Sequence, residues 1–75
     1  MSDAGEFEVT IRGASIELAQ LLKFGGLADT GGEAKNLISS GLVTLNGEVE
    51  TQRGKTVLPG DRVGYNGRTL IVRGG

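Results

Sequence analysis

The chain has no cysteine, no histidine and no tryptophan, and only one proline, one tyrosine and two phenylalanines among its 75 residues. Without cysteine no disulfide can form. With histidine also missing, the usual zinc, copper and iron–sulfur ligand sets are absent, so no metal or other cofactor is expected. Thiol and imidazole catalysis are excluded on the same ground. A chain free of cysteine fits a reducing, cytoplasmic setting. No apolar run approaches the ~20 residues that cross a bilayer, so no membrane partner is expected. The first residues lack a basic stretch followed by an apolar block, and no signal peptide is read there. A chain this short makes one domain with a small core, burying only about 60% of its unfolded surface.

Charge of one sign is also scarce. The formal net charge is −1, which argues against indiscriminate attachment to nucleic acid. The distribution is less even: residues 1–19 carry −3, whereas residues 20–75 carry +2. That asymmetry permits a local basic face without establishing one.

What is present in quantity is glycine, 14 residues, and it punctuates a readable pattern. Thr30 and Glu33 have capping-box spacing, so a helix is expected to start there. Ala34, Leu37 and Ile38 fall on one face of that helix, with Lys35, Asn36 and Ser39 opposite. Gly41 suits the left-handed residue that closes a helix. Val43 and Leu45 alternate around Thr44 as in a strand, and Asn46-Gly47 is a hairpin turn. The apolar pattern favours a three-residue connection that pairs Leu45 with Val49, over a two-residue turn that pairs it with Glu48.

Upstream, Phe7, Val9 and Ile11 alternate with Glu6, Glu8 and Thr10, which predicts a strand at a sheet edge or with one solvated face. Ser15 is a plausible cap for a first helix, with Glu17 in its first turn. Leu18, Ala19, Leu21 and Leu22 form its apolar face, flanked by Ile16 and Phe24. Downstream, Thr51 to Lys55 is a polar bend with Arg53 and Lys55 around Gly54. Thr56-Val57-Leu58 reads as a short strand and Pro59-Gly60-Asp61 as a turn. A further hairpin signal stands at Asn66-Gly67, before a last strand holding Leu70, Ile71 and Val72.

The ordered set Glu33-Ala34, Leu37-Ile38 and Gly41-Leu42-Val43-Thr44-Leu45-Asn46-Gly47, with Ile16 to Phe24 before it and Gly60-Asp61-Arg62-Val63 after it, resembles the S-four-type RNA-binding domain. The likeness spans roughly residues 8 to 72 and is greatest with small stand-alone bacterial members. The family commonly has an arginine where this chain has Gly32, although those small members tend to share Gly31-Gly32. The resemblance implies recognition of folded RNA, often ribosomal or transfer RNA, with the segment Glu50 to Lys55 as a basic loop near the RNA.

The expected fold is α+β, with two short antiparallel helices packed on a small, mainly antiparallel sheet. Residues 1–5 are expected to be a flexible start, 6–73 the domain and 74–75 a flexible tail. Lys35 on the exposed helical face, with Arg53 and Lys55 in the loop, are the main RNA-contact candidates. Lys23 and Arg62 are secondary, and Asn36, Asn46 and Gln52 can add hydrogen bonds. A phosphate at the amides beside Gly32 competes with ordinary capping by Thr30 and Glu33. Tyr65 is a lone candidate for base stacking. No catalytic constellation emerges: Ser15, Ser39 and Ser40 have no histidine partner, and the glycines make neither a Walker motif nor a dinucleotide fingerprint. Two other classes stand beside RNA binding. One is a protein-interaction module docking on a ribosomal or RNA-modifying partner. The other is a carrier using Gly74-Gly75 as an activatable tail, as in ubiquitin and small sulfur carriers.

Overall fold

The computed structural model describes residues 5–75. The flexible start expected at residues 1–5 lies outside that range except for Gly5, whose carbonyl accepts a hydrogen bond from the Thr69 amide at 2.6 Å. In chain order the elements are β1 (Glu6–Ile11), β2 (Ile16–Glu17), α1 (Leu18–Phe24), α2 (Gly31–Ser39), β3 (Val43–Leu45), β4 (Glu48–Val49), β5 (Thr56–Val57), β6 (Arg62–Tyr65) and β7 (Arg68–Gly74). Five strands form one sheet in the order β1-β7-β6-β3-β4, while β2 and β5 pair separately. Among the described residues only β1 with β7 is parallel; the remaining pairs are antiparallel. The chain is thus α+β, two antiparallel helices on a mixed, mainly antiparallel sheet.

Alternation decides which sheet face is covered. Val43, Val63, Leu70 and Val72 point inward and are fully buried, joined by Ile11 and by Leu18, Leu21, Leu22, Ala34 and Ile38 of the helices. Phe7, Val9, Leu37, Leu45 and Tyr65 pack around this cluster, half-buried. Tyr65 therefore serves the edge of the core. The residues between point to the opposite face, where Arg62 meets Glu6 at 3.3 Å and Arg73 meets Glu8 at 2.9 Å. Such exposed pairs contribute little stability, but they fix the partners of two of the chain's cations.

α2 forms as its caps dictate. The Thr30 hydroxyl accepts from the Glu33 amide at 3.0 Å, and the Glu33 carboxylate accepts from the Asp29 amide at 2.7 Å. The reach back therefore lands one residue before the cap. The Glu33 amide is no longer available to a phosphate. At the other end Gly41 takes φ 77°, its amide bonds Ile38 and the Leu42 amide bonds Leu37, a Schellman closure.

α1 begins differently from expectation. Ser15 is not its cap, because Ile16 and Glu17 are in strand β2, paired with Val57 and Thr56. Glu17 occupies the cap position with no side-chain bond. The first helical amides are satisfied from afar: Leu18 donates to the Lys55 carbonyl at 2.9 Å and Ala19 to the Arg53 carbonyl at 3.4 Å. Where α1 ends, a methyl group on Gly25 would run into the Leu70 side chain, so close packing requires glycine there.

The hairpin register also differs. Leu45 pairs with Glu48 and Thr44 with Val49, the two-residue connection. Asn46 at φ 53° and Gly47 at φ 90° have the left-handed pair that this turn demands. Turn geometry prevails over apolar matching because Val49 remains 62% exposed and has no core to enter. At the C-terminal side, the expected free tail is instead sheet. Gly74 is the last residue of β7, opposite Ile11, and the Gly75 amide donates to the Ile11 carbonyl at 3.1 Å. A carrier would need that diglycine free to enter a narrow site, whereas here its backbone is paired with β1. Among the described residues no helix is long and apolar enough to cross a membrane.

Candidate nucleic-acid interface

The basic loop following β4 is built onto α1. Residues 52–55 turn on a Lys55 amide to Gln52 carbonyl bond of 3.2 Å, and the Glu50 carboxylate holds the Gln52 amide at 3.1 Å. The bonds from Leu18 and Ala19 then pin the loop's carbonyls to the start of α1. This brings Arg53 and Gly54 into one small groove with Lys35 of α2, and with Glu17 at the α1 cap. Two cations from segments distant in sequence thus share a surface, and neither is in an ion pair among the described residues. Among the described residues Glu17 is the one opposing charge that lines this groove. Asn36 and Gln52 are exposed next to these two in sequence, with no intramolecular side-chain bond among the described residues.

The other candidates fall elsewhere. Lys55 lines a separate groove beside Glu48, Glu50 and Asp61, where three carboxylates oppose an anion. Arg62 is on the sheet face away from the helices, engaged with Glu6. Lys23 lines a third groove with Arg12, Phe24 and Gln20. The basic candidates are thus divided among several grooves.

Asn46 has an internal role instead. Its amide nitrogen donates to Asp61 at 3.1 Å, its oxygen accepts from the Arg62 amide at 2.9 Å, and its own backbone amide donates to the Arg62 carbonyl at 2.7 Å. Asp61 in turn holds the Leu58 amide at 2.9 Å. The side chain knits two turns together, which commits one N–H and one lone pair of its amide and leaves one of each. Asn46→Ala should cost about 1–2 kcal/mol, from lost bonds and from a left-handed backbone that alanine tolerates poorly. Urea unfolding of the variant checks this.

Sequence reasoning missed Arg12 and Phe24. Phe24, expected to flank the apolar face of α1, is 65% exposed. The signal was its position four residues after the polar Gln20, which places both on the outer face.

The model of the S4 domain family matches residues 9–73. The chain belongs to the S4 domain family. This S4 domain is 35% identical to YbcJ of Escherichia coli K12 over 57 residues, covering 76% of this chain and 81% of YbcJ. It matches YbcJ of Shigella flexneri to the same extent. The solution structure of E. coli YbcJ, described as revealing an "alfaL" motif involved in RNA binding, superposes with a TM-score of 0.64 at 32% identity. It covers 97% of this S4 domain and 91% of that chain.

Proposed function

We propose that this S4 domain is a noncatalytic RNA-binding module in a cytoplasmic setting. Structured RNA, of the ribosomal or transfer class, would lie on the face formed by Lys35 and Arg53. The observation that carries this reading is the meeting in one groove, free of ion pairs among the described residues, of Lys35 on α2 and Arg53 on a loop pinned to α1 by backbone hydrogen bonds. Charges held on a rigid frame lose less freedom on binding than charges on a free tail. The described RNA-binding motif of YbcJ, a relative of similar fold, supports the same reading. Asn36 and Gln52 flank the two cations and can bond sugars, phosphates or base edges.

The test is crosslinking of the native protein to RNA in cells, followed by titration of the enriched RNA at several salt concentrations. Two phosphate contacts release few counterions, so the logarithmic salt slope should be shallow, roughly 2. Recovery of no RNA would reject the reading. A specific complex that survives nuclease treatment would point instead to a protein partner on a ribosomal or RNA-modifying assembly.

A further inference from the structure

We propose that the groove between the end of β1 and the outer face of α1 holds one unpaired nucleotide. Phe24 is the platform for its base, and Arg12 and Lys23 are its phosphate contacts. The inference rests on the RNA-binding reading above and adds to it a second contact of different chemistry.

The groove is open and encloses about 830 Å³, ample for a nucleotide. Its aromatic wall is unexplained by the core. Phe24 is 65% exposed in a chain with only three aromatic residues, while Phe7 and Tyr65 pack against the buried cluster. Its charges are also unspent. Arg62 and Arg73 are paired with glutamates, and Arg68 lies over the Phe7 ring at 5.2 Å. Arg12 and Lys23 have no ion pair among the described residues. Among the described residues no carboxylate lines this groove, in contrast with Glu17 beside Lys35 and the three acids around Lys55. Gln20, Ser15 and Thr10 complete the lining with donors and acceptors suited to a base edge or a ribose hydroxyl.

An exposed ring in one groove with two cations outside ion pairs fits a base that has left its stack. A paired base has both faces covered by its neighbours, whereas an unpaired one offers a free face to an aromatic side chain. The groove also adjoins the Lys35–Arg53 surface: Gln20 is one helical turn, about 5 Å, beyond Glu17. A stem on the first surface can therefore deliver an adjoining single strand to the second.

The experiment uses the full chain with two RNA probes, a hairpin carrying a short unpaired adenosine tail and the same hairpin blunt-ended. The tailed probe should bind about tenfold more tightly. Phe24→Trp should keep that preference. Because the chain has no other tryptophan, its emission should be quenched by the tailed probe and not by the blunt one. Phe24→Leu should erase the preference and leave blunt-hairpin affinity intact, and the double variant Arg12→Ala/Lys23→Ala should reduce the preference. All these positions are exposed, and matching thermal melts would establish that the variants fold. Full preference in folded Phe24→Leu overturns the assignment, as does equal binding of both probes by the native chain. Binding of neither probe by the native chain defeats the RNA-binding reading itself.

Discussion

Leu21→Ala should lower the free energy of unfolding by about 2–5 kcal/mol. Leu21 is fully buried on α1, and the small domain has few ways to collapse around the space left behind. A chain of this length has a total stability of roughly 4–11 kcal/mol, so one such cavity would remove a large share of it. Leu37→Ala on α2 should cost less, because Leu37 is only half-buried while Ala34 and Ile38 fill the inner positions of that helix. The two variants therefore separate burial from mere apolarity. Urea unfolding followed by circular dichroism measures both, with the denaturant slope serving as a check that the unfolded states match. Equal losses for Leu21 and Leu37 would contradict the packing described.

That contrast shows where the sequence was legible. Helix faces, the Gly41 closure and both Asn-Gly turns are local, since a few neighbouring residues decide them through periodicity or a left-handed backbone. The miscast features are non-local. Nothing near Ser15 announces that Ile16 and Glu17 will pair with Thr56 and Val57, or that carbonyls of residues 53 and 55 will cap α1. Nothing near Gly74 announces a parallel partner at Ile11. At the hairpin two local signals conflicted, and the turn prevailed because Val49 had no burial to gain.

The candidate site divides in the same way. Lys35 was legible as an exposed helical cation and Arg53 as part of a basic bend. Their convergence with Glu17 depends on the hydrogen bonds that pin the bend to α1. The commitment of Asn46 to Asp61 and Arg62, and the isolation of Lys55 among acids, are equally matters of tertiary contact. One residue pair, Arg53 and Lys55, shows the limit clearly: two positions apart in sequence, they line different grooves with opposite electrostatic surroundings.

That difference gives the most discriminating test of the proposed RNA surface. The double variant Lys35→Ala/Arg53→Ala should weaken binding to a folded RNA by about 1–3 kcal/mol, a charge-assisted contact at each position being reduced by solvent and salt screening. Its logarithmic salt slope should fall by about 2, because each lost phosphate contact leaves one counterion fewer to release. The loss should be similar across RNA sequences, since phosphates have no sequence information. Lys55→Ala should change the slope little, because Glu48, Glu50 and Asp61 already repel a phosphate there. Glu17→Gln should tighten binding, since it removes the one carboxylate lining the Lys35–Arg53 groove and leaves the side chain's shape. The altered side chains are on the surface, so unfolding curves should stay close to the native one. Anisotropy titrations across a salt series would read all of these effects. If Lys55→Ala reduced the slope while the double variant did not, the RNA would lie on the other side of the loop and the proposed surface would be wrong.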